Sequence, residues 1–533
     1  MKGTEDRHIS DAAGYPSDTS ANNRRIAKNT LLLYVRMIVL MLVSLYTSRV
    51  VLDTLGVEDY GIYNVVGGIV VMFSFLNSAM ASATQRYLTF ELGRSNMEQL
   101  KNVFVTSVNI HIIIAVAVFI LSETLGLWLL YNKMTIPADR MNAAFWVFQF
   151  SVISSMIMFV SVPYNAAIIA HEKMSAFAYI SVWEAILKLL IVYVLLVAGI
   201  DKLILYAMLL LCVQLLVRII YGTYCKRHFD EAKYRLSFNK QLFKEMLAFS
   251  GWNLFGNMSA VAFTQGLNIL LNMFFGPVVN AARGVAVQLQ GAVSQFSCSF
   301  QTALNPQITK SYALKDYKYM HSLIYRSSRF TFILLYCICL PVFMEAEMLL
   351  GVWLKEVPDY SAVFLRIILC VTIIDAVANP LMISAQATGK IKKYQSVVGG
   401  ILLMILPVSY VVLKLGGNPQ SVVIVHLVIC IIAFITRLYI IRPMISLDIS
   451  EYFRNVILRC LIVAVLSPVV PMVASRFLRN GTVISSLAVC FCAVISVLAF
   501  SFIFGITSVE RTVVIDRVKN VVTNNMIKKW KER

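Results

Sequence analysis

Charged residues are scarce in this sequence, and their scarcity excludes most classes of soluble protein. Asp, Glu, Lys and Arg make up 14% of the 533 residues, whereas hydrophobic residues make up 59%. A typical soluble chain has ~25% charged residues. A bilayer core needs ~20 apolar residues for each helical span, and apolar stretches of that length recur along the chain. The composition therefore predicts an all-α polytopic membrane protein.

Motifs for catalysis and cofactor binding are also missing. The chain has no Gly-x4-Gly-Lys-Ser/Thr loop for nucleotide phosphates, no His-Glu-x-x-His pair for zinc and no Gly-x-Ser-x-Gly turn for a nucleophilic serine. The ten cysteines lie in or beside apolar stretches, where they are expected to be small packing residues. We therefore expect no metal, no cofactor and no enzymatic activity.

The apolar runs predict about fourteen transmembrane helices. The first seven are expected near residues 29–51, 61–83, 103–130, 142–162, 175–199, 203–222 and 245–273. The second seven are expected near 278–304, 328–352, 361–382, 395–413, 420–441, 454–475 and 483–506.

The distribution of basic residues predicts the orientation of these helices. Roughly 33 of the Lys and Arg residues fall on alternate connections that include both termini, and about seven fall on the others. Short cytoplasmic loops collect basic residues, so both termini are expected in the cytosol. The net charge of +19 then suits anionic lipids rather than nucleic acid.

This topology divides the chain into six parts. They are a disordered cytosolic tail (1–28), an N-terminal six-helix bundle (29–222), a cytosolic linker (223–244), a C-terminal six-helix bundle (245–441), two additional transmembrane helices (442–506) and a basic amphipathic cytosolic tail (507–533).

Matches between the two halves indicate an internal duplication. When the first half is shifted by 223 positions, Gly61, Gly68, Phe73 and Ser74 fall on Gly284, Gly291, Phe296 and Ser297. When it is shifted by 217 positions, Pro163, Ala170, Lys173, Val194, Leu196 and Gly199 fall on Pro380, Ala387, Lys390, Val411, Leu413 and Gly416. Chance matching of apolar stretches is the alternative. An even number of spans separates the copies, which predicts two parallel bundles. Pro163 and Pro380 are expected to end a helix in each half.

Two signatures resemble those of the polysaccharide exporters and O-antigen (Wzx-type) flippases, relatives of the multidrug-and-toxin extruders and of the lipid II flippase in the multidrug/oligosaccharidyl-lipid/polysaccharide exporter superfamily. The first runs from Ser48-Arg49-Val50 through Leu55-Gly56-Val57-Glu58-Asp59-Tyr60-Gly61-Ile62-Tyr63 to Ala83-Thr84-Gln85-Arg86-Tyr87. The second is Val162-Pro163-Tyr164-Asn165-Ala166-Ala167 followed by Ala170-His171-Glu172-Lys173-Met174. Many members resemble a twelve-span protein. Fourteen spans look more like the lipid II flippase branch, where the extra helices are associated with the lipid tail.

The resemblance implies a flippase that moves isoprenoid-diphosphate-linked oligosaccharide across the bacterial inner membrane for O-antigen, capsule or exopolysaccharide synthesis. Alternating access of a V-shaped cavity between the bundles would carry the head group. The implied partners are the lipid-linked substrate, membrane lipids and the glycan polymerase machinery, with the protein itself a monomer. Two alternatives stay open: a cation-coupled multidrug antiporter of the same fold, and a membrane glycan polymerase or ligase, which the short outer loops disfavour.

Ionisable and amide side chains inside apolar spans are the candidate site residues, because a charge in the bilayer is costly unless it faces a cavity or a partner. The candidates for binding diphosphate and sugar are Arg36, Arg49, Lys188, Arg283, Gln288 and Gln295. Structural pairing is an alternative for Arg36, and an interfacial anchor is an alternative for Arg49. The predicted helix that carries Arg283 is rich in amides and too polar to face lipid.

Two carboxylates are candidates for binding a coupling proton or cation. Glu184 lies four residues before Lys188, so the two share a helix face and either form an internal ion pair or take part in coupling. Asp375 lies near the middle of the tenth predicted span. The sequence leaves open whether protons, sodium or removal of the product drives transport.

Overall fold

The computed structural model describes residues 19–71, 74–132, 136–197, 199, 201–233, 239–275, 277–354, 357–478, 483–508, 510–512 and 515. In these ranges the regular elements are helices, without any β-strand. Eleven helices are long and apolar enough to cross a membrane. They correspond to predicted spans three to seven and nine to fourteen, which confirms the all-α polytopic class.

In the described residues, the first half of the chain forms seven α-helices. They are α1 (Thr19–Val71), α2 (Ser74–Gly93), α3 (Met97–Leu121), α4 (Leu127–Asn132), α5 (Met141–Ala170), α6 (Met174–Val197) and α7 (Lys202–His228). The long helix α1 covers the first predicted span and part of the second, and it is broken at Gly56, where φ is 80°. Glycine tolerates this conformation because it has no Cβ atom.

The second half continues the helical pattern. Its elements are α8 (Lys240–Phe275), α9 (Pro277–Ala313), α10 (Tyr317–Met344), α11 (Ala346–Trp353), α12 (Ser361–Thr388), α13 (Lys392–Leu403), α14 (Ile405–Lys414) and α15 (Pro419–Ile445). The amide-rich helix α9 matches predicted span eight, although it is not among the eleven apolar helices. The total of about fourteen spans therefore stays a prediction.

The last part of the described chain packs against the second half. It contains α16 (Ile449–Tyr452), α17 (Leu458–Leu466), α18 (Val469–Leu478) and α19 (Val483–Phe500). Helices α17 and α19 contact α10, and Val463 and Ala493 belong to the same buried apolar cluster as Phe332. The six-part division of the chain stays a prediction, and most of the two terminal tails lies outside the described residues.

Pro163 and Pro380 lie inside α5 and α12 rather than at their ends, so the expectation that they end these helices is wrong. A membrane helix tolerates an internal proline where neighbouring groups satisfy the freed backbone carbonyl. The two helices end later, at Ala170 and Thr388. Just beyond each end a residue adopts a left-handed conformation, Glu172 with φ 58° and Gly389 with φ 77°. These two residues are also 217 positions apart, which agrees with the duplication.

Four of the helix connections meet at one end of the molecule, which we call the basic end. They are the connections α2–α3, α5–α6, α9–α10 and α12–α13. These connections and the first turn of α13 carry Arg94, Lys173, Lys315, Lys390, Lys392 and Lys393. The first and third meet where the backbone of Gly93 packs against Ala313. By the distribution of positive charge this end is predicted to be cytosolic.

Candidate functional site

A polar cavity lies between the two halves near the basic end. It has a volume of about 430 Å³ and is lined by residues of α2, α8, α9, α12, α13 and α15. Seven carboxamide side chains line it, namely Gln85, Asn253, Asn257, Asn305, Asn379, Gln386 and Gln395. We call this space the central cavity. Its amides can both donate and accept hydrogen bonds, which suits neutral, hydroxyl-rich groups.

The charges on the wall of the central cavity are positive. Two guanidinium groups line it, those of Arg86 on α2 and Arg437 on α15, and none of the described lining residues is Asp or Glu. A guanidinium group presents a fork of N–H donors that matches phosphate oxygens. The cavity therefore has the chemistry of an anion site surrounded by amides.

Arg86 also joins the two halves. Its Nε and Nη2 donate hydrogen bonds to the carbonyl oxygens of Gln386 and Ala387, at 3.2 and 2.9 Å, in the last turn of α12. The guanidinium carbon lies 4.5 Å from the ring centre of Tyr87 and 5.6 Å from that of Phe249. Carbonyl dipoles and aromatic ring faces therefore stabilise the positive charge of Arg86.

Arg437, on the wall of the central cavity, contacts a residue that lines a second, smaller space. Its Nη1 lies 3.4 Å from Oδ1 of Asp375, and its side chain is 11% exposed. Asp375 lines a second cavity of about 100 Å³ together with Arg283, Gln290 and His426. We call this space the inner pocket. The structure thus brings together two of the predicted residues, Asp375 and Arg283, around one small cavity.

Arg283 is buried with only 4% of its surface exposed. Its Nη1 donates a hydrogen bond to the side-chain oxygen of Asn268 on α8. This partner is neutral, so it satisfies a hydrogen bond without balancing the charge.

The other predicted residues lie elsewhere. Arg36 on α1 stacks over Phe177, with its guanidinium carbon 4.4 Å from the ring centre. Lys188 donates to Glu184 at 2.6 Å, as the i, i+4 spacing predicts. Gln288 and Gln295 are exposed on α9. The side chain of Arg49 lies outside the described residues. Whether these residues bind substrate or a coupling ion stays a prediction.

A second link between the halves lies at the basic end. The carboxylate of Glu172, after α5, accepts hydrogen bonds from Gln307 at 2.6 Å and from Lys310, both on α9. The carbonyl oxygen of the same residue accepts a bond from Asn29 of α1 at 3.3 Å. Together with Arg86, this link closes the two halves against each other at the basic end.

Arg86 and Arg437 are not among the site residues predicted from the sequence, although Arg86 lies in the first of the two family signatures. A usable signal exists for Arg437, because it and Asp375 are opposite charges within otherwise apolar helices. The signature that contains Arg86 does not predict the role of this residue, since that role depends on contacts with α12.

Comparisons with known proteins place this site in context. Residues 26–312 match the family described as "Polysaccharide biosynthesis protein". None of the curated proteins compared with the chain matches it significantly. Among solved structures, a MATE protein in the bent conformation aligns with a TM-score of 0.71 at 14% identity, covering 80% of this chain and 96% of that one.

Two further structures share the fold. A multidrug resistance MATE transporter of the MOP superfamily, in an outward-facing conformation, has a TM-score of 0.68 and 14% identity over 80% of this chain and 96% of its own. A MOP superfamily transporter from Pyrococcus furiosus, whose binding pocket is described as having reversed polarity, has a TM-score of 0.66 and 15% identity over the same shares. At these identities the likeness shows the fold.

Proposed function

The chain belongs to the family described as "Polysaccharide biosynthesis protein", and on that basis we propose that it is a membrane exporter that flips an isoprenoid-diphosphate-linked oligosaccharide across the bacterial cytoplasmic membrane. The observation that carries this proposal is the wall of the central cavity, which combines two guanidinium groups with seven carboxamides and, among the described residues, no carboxylate. The destination of the glycan is a surface polysaccharide.

The head group of such a lipid has two chemical parts, and the cavity offers a partner for each. The diphosphate carries negative charge and would bind Arg437 and Arg86, because charge-assisted hydrogen bonds between guanidinium groups and phosphate are strong. The sugar hydroxyls would bind the carboxamides of α8, α9 and α12, since each amide donates and accepts.

The lipid tail requires a separate, apolar surface. An apolar cleft of about 840 Å³ lies between α10, α12, α15 and the α17–α18 segment, with Phe332, Leu369, Phe434 and Leu461 among its walls. The cleft shares α12 and α15 with the central cavity. A prenyl chain would move into the cleft from the bilayer, which is itself apolar, so van der Waals packing rather than removal of water would hold the tail there.

Transport would proceed by alternating access. The contacts of Arg86 with α12 and of Glu172 with α9 close the basic end, so that the head group would enter from the cytosol only when these contacts open. Glu184 and Asp375 are the candidates for coupling to protons or cations, and consumption of the flipped lipid by a polymerase would also drive net flux. We propose that the protein acts as a monomeric transporter, not an enzyme, with both termini in the cytosol.

The test is flipping of a fluorescent undecaprenyl-diphosphate oligosaccharide in proteoliposomes, measured with an external quencher. Wild-type protein should make the inner-leaflet probe accessible, and Arg437→Gln should slow this because the cavity loses a phosphate partner. Arg442→Gln is the matched control, since Arg442 is an exposed arginine on the same helix that does not line the central cavity. Equal thermal stability of the three proteins would exclude misfolding.

Two outcomes would contradict the proposal. If wild-type protein flips no lipid-linked glycan but exports ethidium under a proton or sodium gradient, the protein is a multidrug antiporter. The lack of a carboxylate in the described wall of the central cavity argues against that substrate class. If purified protein elongates activated glycan by itself, it is a polymerase or ligase.

A further inference from the structure

We propose that Asp375 is an internal anion that competes with the substrate's diphosphate for Arg437, and that its carboxylate shifts toward Arg283 when the substrate binds. This inference rests on the proposed function and deepens it, because it assigns a regulator to the same binding site. It follows from the arrangement of three charged side chains around the inner pocket.

Arg437 is positioned to exchange partners. It lines the central cavity, yet its described ion pair is with Asp375, on the side of the inner pocket. Its Nε is buried without a hydrogen-bond partner among the described residues. A diphosphate that displaces Asp375 would take over Nη1 of Arg437, and rotation of the guanidinium group would make the unpaired Nε available to it as well.

The contact that holds Asp375 is weak for a guanidinium–carboxylate pair. It is a single contact of 3.4 Å, whereas the strong form has two parallel N–H···O bonds at ~2.7–2.9 Å. The Asp375 side chain is 48% exposed, so it has space to rotate. A dianionic ligand that engages both edges of Arg437 would displace it, because both anions seek the same donors.

Arg283 offers the displaced carboxylate a new partner. It lines the inner pocket with Asp375, is almost fully buried, and has a neutral amide as its described hydrogen-bond partner. A buried cation gains most from an anion that arrives without leaving another charge unpaired. The open volume of the inner pocket lies between the two side chains.

The exchange leaves every charge with a partner. Without substrate, Asp375 neutralises Arg437 and leaves Arg283 with an amide. With substrate, the dianionic diphosphate pairs with Arg437 and Arg86, which both line the central cavity, and Asp375 pairs with Arg283. Binding therefore never creates a second uncompensated charge in the apolar second half, where such a charge would be costly.

The test is a double-mutant cycle on binding of farnesyl diphosphate to the full-length protein in detergent, measured by microscale thermophoresis. Asp375→Asn removes the competitor, so we expect binding roughly tenfold tighter, within the range usual for coupling between sites. Arg283→Gln removes the alternative partner and should weaken binding. In the double variant the loss of Arg283 should have no effect, so its affinity should equal that of Asp375→Asn within about twofold.

Controls separate this inference from simpler roles. Asp230→Asn neutralises a carboxylate in an exposed ion pair with Lys233, which lines none of the three cavities, and should leave the affinity unchanged. Asp375→Ser repeats the test if the asparagine variant does not fold. Rescue of Arg283→Gln by the second substitution is the diagnostic result, because a structural role would not produce it.

Each other outcome has a definite meaning. If Arg283→Gln weakens binding equally with and without Asp375, Arg283 contacts the ligand directly and the exchange is refuted. If Asp375→Asn does not tighten binding, Asp375 does not compete. If wild-type protein binds no farnesyl diphosphate while remaining folded, the anion-site premise and the proposed function fail together.

Discussion

Gly389 leaves open the space that the guanidinium group of Arg86 occupies. A Cβ atom on Gly389 would come within 2.7 Å of Nη2 of Arg86, and the glycine has a left-handed φ of 77°. The end of α12 in the second half and Arg86 in the first half therefore pack closely, and this packing requires a residue without a side chain at position 389. This contact links the central cavity to closure of the basic end.

We expect Gly389→Ala to lower the melting temperature in detergent. A residue with a Cβ atom loses about 1–2 kcal/mol in the left-handed conformation, and the clash with Arg86 adds to the loss. Gly400→Ala is the control, because Gly400 lies inside α13 with nothing within 4 Å of its Cβ position. An equal effect of both substitutions would show that the space beside Gly389 is not limiting.

A conservative change at Arg86 tests its two backbone contacts. Arg86→Lys keeps the positive charge but cannot donate to both Gln386 and Ala387 with the geometry of a fork. We expect the basic end to open more often, so that the variant flips the glycan probe faster than the wild-type protein does. Unchanged flipping would mean that charge alone matters at this position.

A charge swap tests the link between Glu172 and Lys310. Each single reversal, Glu172→Lys or Lys310→Glu, places like charges together and should destabilise the protein during unfolding in mixed micelles. The double variant should recover part of the loss, with a coupling energy of about 0.5–3 kcal/mol. Additive losses would show that the two side chains act independently.

Asp201, between α6 and α7, allows a test of how an ion pair and a helix cap in the first half contribute to stability. Burial raises the pKa of this carboxyl group, but hydrogen bonds from Arg140 and from the backbone N–H groups of Ile204 and Leu203 outweigh burial and lower the pKa below its usual value. A lowered pKa in the folded state stabilises the protein above the unfolded pKa, and the effect is lost as the pH falls through the folded value.

We therefore expect Asp201→Ala to lower the melting temperature near pH 7 and to have little effect at strongly acid pH. The loss includes the cap of α7, whose removal costs about 0.5–2 kcal/mol. Melting curves of wild type and variant across this pH range give the comparison. A difference that persists at acid pH would assign the loss to packing rather than to charge.

Several features of the candidate site could be predicted from individual residues in the sequence. Arg283 and Asp375 are charges in apolar stretches, and the cost of burying such charges is enough to make both of them candidates. The pair of Glu184 and Lys188 followed from helical spacing alone, and the structure has it at 2.6 Å. The start of α1 at Thr19 and the internal positions of Pro163 and Pro380 did not follow, because helix ends depend on neighbouring contacts.

The sequence by itself determined that this protein is an all-helical membrane protein, because hydropathy and helix length are local properties set by consecutive residues. It also predicted the duplication, with Glu172 and Gly389 at equivalent helix ends. Only the tertiary structure decided that Arg86 and Arg437 share a cavity with seven carboxamides, and that Asp375 lies between Arg437 and the pocket of Arg283. Those relationships join helices far apart in sequence, and packing between helices, not any local pattern, sets which side chains meet.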